Sequence, residues 1–251
     1  MRPRRHSPPA RADRIRQGLV ATVALAVVML LPGAWVGTSA APRASDGQAW
    51  TTFFDAGPLQ GSGWASCPEP IGVSIDTSKF SAAEASRIAL ALTKAVGLWS
   101  QQRQISFTFA GIVPMVYDTA SGVLSPQDGV TRSRHIYIGF VRDAESPQLS
   151  RSVVGLGLPT TVSQGNREIT EAEATFERRY SADASVPQLV ALFAHELGHA
   201  LGLGHSADKA DVMYPVVRTA KRLGPGDIAG IKSIARPCGA VPSSRDYPIA
   251  G

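Results

Sequence analysis

No apolar run in this sequence reaches the roughly 20 residues that a membrane-spanning helix needs. The longest uninterrupted one, LVATVALAVVMLL from Leu19 to Leu31, is broken by Pro32 and Gly33. Before it, Met1 to Gln17 holds six arginines and a single acid, Asp13. After it come the small residues Thr38, Ser39 and Ala40. A basic start, a short apolar centre and a small-residue end read as a secretory signal over 1–40, cut after Ala40. If the segment extends through Trp35 and Val36 and stays uncut, it is an anchor, and only then is a membrane a partner.

Charge of one sign is missing as well. The chain has 25 Lys and Arg against 20 Asp and Glu, a formal net charge of +5. The leader holds six of those basic residues and one acid, so residues 41–251 keep 19 of each and no net charge. The calculated pI of 9.5 therefore belongs to the leader. It gives no argument for nucleic acid, and none is expected as a partner. Cysteine is scarce too: Cys67 and Cys238 are the two present. An even count in an exported chain predicts one disulfide, here tying the start of the folded domain to its end. There are no internal repeats.

What is present reads as one domain with a real core, since 44% of the residues are hydrophobic. Residues 41–63, rich in Gly, Ser, Ala and Pro, read as a linker or short pro-segment. The domain is placed at 64–239 and a disordered tail at 240–251. IGVSID (71–76) alternates as a half-buried strand does. Ser81 to Glu84 has the form of a capping box, and Ile88, Leu92, Val96 and Trp99 follow at helical spacing to about Gln102. ISFTFAGI (105–112), HIYIGFV (135–141), VVGLGLPTTV (153–162) and EITEAEATFER (168–178) read as strands, with 117–134 a polar loop. Pro159 and the glycines favour an edge position for 153–162. Ser185 to Gln188 opens another helix, and a last one follows Gly226. The order is α+β, with helices gathered at the C-terminal end. His135, at a strand start, is expected on the surface.

FAHELGHALGLGHS, Phe193 to Ser206, holds three of the five histidines. At ~100° per residue, His195 and His199 share one helix face and Glu196 lies to its side. Leu189, Val190, Phe193, Leu197, Ala200 and Leu201 lie opposite. Two histidines one turn apart can reach one Zn²⁺ at ~2.0–2.1 Å. Gly202 can adopt the left-handed conformation that reverses the chain and carries His205 in as a third ligand. Three imidazoles leave a fourth position open, as catalytic zinc sites do. Glu196 is then placed to take a proton from a zinc-bound water.

H-E-L-G-H-A-L-G-L-G-H, His195 to His205, resembles the extended zinc motif of the metzincin metalloproteases. DVMYP, Asp211 to Pro215, looks like their Met-turn, with Met213 as an apolar floor below the metal. Ser206, the Tyr214-Pro215 continuation and LGPGDIAGIKSI (223–234), with Asp227 at a buried acidic position, resemble the matrixin branch. The cysteine bracketing looks like that of exported bacterial matrixin-like proteases. The resemblance implies a metzincin-like catalytic domain: a twisted mixed five-stranded sheet, long helices and a zinc cleft between upper and lower subdomains. It implies a secreted, monomeric zinc endopeptidase that cuts protein or peptide substrates through a zinc-bound water activated by Glu196. Substrate would lie along the edge strand at Gly155 and Leu156, near Tyr214 and Pro215.

Departures from the family pattern carry expectations of their own. His135 is the sole histidine left after the leader and the motif, so a second, structural zinc is not expected. No calcium ligands can be matched, so Ca²⁺ has no support in the sequence. Val217 stands where the family usually has Tyr, and Gly226 where it has the first of two paired acids. Asp208 and Asp211 read as turn formers. Gly198 and Gly204 have no assigned role. The second reading is a catalytically inactive, zinc-containing peptide-binding module, against which stands the intact Glu196.

Overall fold

The computed structural model describes residues 50–54, 59–102, 105–149, 152–163, 166–219 and 221–238. The expected leader and tail lie outside them. Chain order is β1 (Trp50–Thr52), β2 (Ala65–Ser66), β3 (Ile71–Ile75), α1 (Ala82–Ser100), β4 (Phe107–Ile112), β5 (Met115–Asp118), β6 (Val123–Pro126) and β7 (His135–Val141). Then follow β8 (Gly155–Ser163), β9 (Glu168–Glu177), α2 (Arg178–Asp183), α3 (Val186–Ala200), β10 (Leu203–Ser206), α4 (Pro225–Ile234) and β11 (Arg236–Pro237).

Five strands form one mixed sheet in the order β4-β3-β7-β9-β8. The first four run parallel and β8 runs antiparallel to β9 at the edge, the position that Pro159 and the glycines of 153–162 suggest. Central parallel strands are covered on both faces and read as near-continuous apolar runs; every residue of β3 and β7 is buried. One face carries α1 and α3. Ile88, Leu92 and Trp99 of α1 and Leu189, Leu192, Phe193 and Leu197 of α3 join Ile71, Ile136 and Phe176 in a single core. Two indoles lock the layer, each giving its buried N–H a partner. Trp99 Nε1 donates to the Ala194 carbonyl at 2.9 Å and Trp64 Nε1 to the Ala200 carbonyl at 3.0 Å.

The other face departs from expectation. Residues 117–134, read as a polar loop, contribute to a β5–β6 hairpin that folds back over the sheet. Met115, Leu124 and Tyr137 form a small second core beneath it. Leu124 packs over Gly139, where a Cβ would lie 2.6 Å from its Cδ1, and its backbone N–H donates to Glu173 Oε2 at 2.7 Å. Met115 in β5 and Leu124 and Pro126 in β6 are too short a pattern to announce a hairpin; the sheet supplies the partner. His135 also departs: it is buried, not superficial, with Nε2 2.9 Å from Ser74 Oγ.

Trp50–Thr52, inside the stretch expected as linker or pro-segment, is a strand paired antiparallel with β10. At the chain's other end β11 pairs in parallel with β2, beside the Cys67–Cys238 disulfide.

Candidate metal centre

Helix α3 brings the histidines to the core. Its start is built as the sequence implies: Ser185 N and Ser185 Oγ donate to Gln188 Oε1 at 2.9 and 2.7 Å, and Pro187 sits in the first turn. Beneath the edge strand the helix comes as close as two backbones can. A Cβ at Gly157 would lie 2.0 Å from the Glu196 carbonyl oxygen, and one at Gly155 2.8 Å from Glu196 Cγ. The helix ends at Ala200, and Gly202, at φ +102°, reverses the chain into β10, as expected of it.

That reversal brings His205 to His195 and His199. The three ring centroids lie 4.8, 5.4 and 4.9 Å apart, and one ring nitrogen from each falls within 4.8 Å of the others. Nδ1 of His195 faces the Val212 carbonyl at 2.8 Å and Nδ1 of His199 faces the Leu203 carbonyl at 2.8 Å. A carbonyl only accepts, so both Nδ1 atoms carry the proton and both Nε2 atoms carry lone pairs. Those two lone-pair nitrogens stand 3.1 Å apart, and buried Nε2 of His205 has no partner among the described residues. Converging lone pairs without protons need a cation between them. Two imidazole ligands of one tetrahedral Zn²⁺, at ~2.0–2.1 Å each, lie ~3.3 Å apart. The donor set fits that ion, and the carbonyl contacts are the outer-shell partners that fix a ligating imidazole.

Burial keeps the rings neutral. It holds His195 down at about 3, helped by His205 and opposed by the Val212 carbonyl, and holds His205 down at about 4. His199 lies well below the usual range for the same reason, with both other histidines adding to the effect. Neutral imidazole is the form that binds metal. Glu196 behaves oppositely: burial raises its carboxyl to about 8. The Gly157 amide lowers it in part, although neither carboxylate oxygen has a partner at hydrogen-bond distance. His195, Glu196 and His199 are all fully buried, more enclosed than the cleft-facing stripe expected from the helix period.

Met213 lies under the helix. A Cβ at Gly198 would come 2.1 Å from its Sδ and 2.9 Å from Trp99 Cζ2, so Gly198 is the gap into which the methionine fits. The turn around Met213 is held from below by Asp227, whose carboxylate accepts from the amides of Val212 at 2.7 Å, Met213 at 3.0 Å and Gly224 at 2.8 Å. Asp211, read as a turn former, does more than that. It is buried, accepts from Ser206 Oγ, and accepts from the Gly226 amide at 3.0 Å. A Cβ at Gly226 would lie 2.0 Å from Asp211 Oδ2. Gly226 thus stands where the Asp211 carboxylate leaves no room for a side chain.

The remaining candidates divide. Gly155 lies beside Glu196, whereas the Leu156 side chain packs with Val141, Leu149 and Val153, leaving only its backbone for an extended partner. Tyr214 and Pro215 are half-buried after Met213, with the Arg218 guanidinium 5.6 Å from the Tyr214 ring centroid.

Similarity to known proteins agrees with this geometry. The family model of Peptidase_M10, Matrixin, matches residues 124–235. Over those residues the chain is similar to matrixins. Stromelysin-2 of Rattus norvegicus is 38% identical over 96 residues, 36% of this chain and 20% of the relative. Stromelysin-1 of Equus caballus is 40% identical over 71 residues, 26% of this chain and 15% of the relative. Matrilysin of Homo sapiens is 28% identical over 149 residues, 57% of this chain and 48% of the relative. The chain matches a fifth or less of these stromelysins' length. Its mixed five-stranded sheet with helices on one face is the α+β metzincin architecture that the motif implies.

Proposed function

We propose that the chain is an exported zinc-dependent endopeptidase whose ligands are His195, His199 and His205 and whose general base is Glu196. One observation carries this: the buried imidazoles of His195 and His199, each with its Nδ1 proton on a carbonyl and its Nε2 lone pair turned inward, converge with the half-buried His205 next to a buried carboxylate whose oxygens have no partner at hydrogen-bond distance. Bound there, Zn²⁺ supplies a dication that lowers the pKa of a water to about 7, polarises a scissile carbonyl and favours the ionised form of Glu196.

Glu196 accepts the proton of the attacking water and returns it to the leaving amine, a contribution of typically 10²–10⁴-fold. Gly155 and Gly157 let the edge strand lie against that carboxylate, so a peptide paired with the backbone of β8 passes close to it. Such pairing reads main chain, and a protein or peptide is the substrate class it selects. Met213, seated in the gap at Gly198, supports the ligand helix from beneath.

The test is casein hydrolysis by the purified protein. Expected are one zinc per chain, activity abolished by a chelator and restored by zinc, and a Glu196→Ala variant that keeps its zinc while losing at least ~100-fold in rate. Activity that survives both chelation and Glu196→Ala overturns the reading. Stoichiometric zinc without cleavage across a broad peptide library would instead identify an inactive peptide-binding module.

A further inference from the structure

The stretch just before the domain does not simply lead into it. Thr51 Oγ1 donates to the carbonyl of His205 at 2.8 Å, and the Phe53 amide donates to the carbonyl of Gly202 at 2.7 Å. Between these bonds Thr52 faces Leu203, whose own carbonyl receives Nδ1 of His199. The Phe53 ring meets His199 edge-on, with centroids 6.1 Å apart. One short strand therefore touches the segment that carries one candidate ligand and the ring of another.

Small residues on the domain side make room for it. A Cβ at Gly204 would lie 2.3 Å from Thr51 Oγ1 and 2.7 Å from the Thr52 carbonyl oxygen. On α4, a Cβ at Gly230 would lie 3.4 Å from the Trp50 indole. Gly204 is thus the residue over which the strand crosses.

We propose that Trp50–Phe53 is a retained clamp of the metal centre, with Thr51 as a positioning residue that holds His205 in place through its backbone carbonyl. The inference rests on the zinc reading above. β10 is four residues long and finds its ladder partner in β1. Without the clamp, the loop that delivers the third ligand would lose a side-chain bond and a backbone bond at once. Any processing cut therefore falls before Trp50, leaving the strand on the mature protein.

Zinc affinity of the full protein, measured by competition with a chromogenic chelator, tests this without reference to catalysis. Thr51→Val keeps the shape and removes the hydroxyl; Thr51→Ser keeps the hydroxyl. Loss of an outer-shell partner typically weakens metal binding 10–100-fold. The expected result is a Kd raised at least ~10-fold in Thr51→Val and restored to within about twofold in Thr51→Ser. Thr51→Val equal to wild type overturns the clamp, as does equal weakening of both variants, which would place the loss in packing. Should the valine protein fail to fold, Thr51→Ala is read in its place by the same criteria. His205→Ala separates the two readings: if it binds zinc as tightly as wild type, the metal assignment fails and not the clamp alone.

Discussion

Asp227 and His195 are joined through a single residue, Val212. The Val212 amide donates to Asp227 Oδ2 at 2.7 Å, and the Val212 carbonyl receives Nδ1 of His195 at 2.8 Å. Helix α4 thereby reaches that imidazole through one intervening residue. Asp227→Asn replaces one carboxylate oxygen with an N–H₂ group that would face an amide donor. With buried amides left unpaired, the loss of unfolding free energy should be about 2–4 kcal/mol. Zinc affinity should fall about tenfold as the His195 orientation loosens. Urea unfolding and chelator competition on the same variant measure the two effects. A variant that loses stability with unchanged zinc affinity would confine Asp227 to holding the turn.

Two glycines of β8 bear unequally on Glu196. At Gly157 the obstacle is backbone, the Glu196 carbonyl oxygen at 2.0 Å from an added Cβ. At Gly155 it is the side chain, with Cγ and Oε1 each at 2.8 Å. Gly157→Ala should separate strand from helix and cost about 1–3 kcal/mol as overpacking does. Gly155→Ala should leave stability within about 1 kcal/mol and displace the carboxylate, lowering kcat about tenfold or more with KM little changed. A fall in stability at position 155 matching that at 157 would contradict the distinction.

The division between what the sequence announces and what it withholds follows the range of the contacts. His195, Glu196, His199 and Gly202 are legible because one helical period and one turn place them. The edge position of residues 153–162 is legible because Pro159 cannot serve a central ladder. Gly198 and Gly204 are opaque, since their meaning lies in Met213 and Thr51, and the Thr51–His205 bond spans 154 positions. His135 is buried because Ser74 offers it a partner on the neighbouring strand, which no local pattern encodes. The β5–β6 hairpin escapes notice for the same reason: the sheet beneath stabilises it more than its own alternation does. Asp211 reads as a turn residue because its acceptor role depends on Ser206 and on an amide of the last helix.

Under that hairpin sits a carboxyl unrelated to the metal. Glu173 is 1% exposed, accepts from the Leu124 amide with one oxygen and has no partner for the other. Burial raises it to about 8, against the Leu124 hydrogen bond, which lowers it. The folded-state value lies above that of an unfolded glutamate, ~4.3. The folded protein therefore holds the proton over a window in which the unfolded chain has released it. Stability from this group is complete below ~4.3 and is lost as pH rises towards about 8, at up to ~1.4 kcal/mol per pH unit. Glu173→Gln keeps the acceptor for Leu124 and cannot ionise. It should match wild type near pH ~4 and exceed it by a few kcal/mol at pH ~9 in urea unfolding. Parallel pH profiles for the two proteins would show that Glu173 does not titrate in this window.

The Cys67–Cys238 disulfide closes a loop of 171 positions, and its main effect should be felt in the unfolded chain. The entropy model puts so long a closure at ~5 kcal/mol, with measured values often lower. In the folded protein the neighbourhood is held by other means. β2 pairs with β11, the Arg236 amide donates to the Trp64 carbonyl at 3.0 Å, and Trp64 reaches Ala200 at the end of α3. Reduction should therefore lower stability without dismantling the metal centre. With Cys67 half-buried and Cys238 exposed, mild dithiothreitol should reach the bond. The Cys67→Ser, Cys238→Ser double variant should lose about 2–5 kcal/mol, unfold with a larger urea m-value because its unfolded chain is less constrained, and bind zinc within about twofold of wild type. An unchanged m-value with the same loss of stability would move the effect from the unfolded chain to native contacts around Trp64. Zinc affinity should then fall as well, because the indole that anchors the end of α3 would no longer be held.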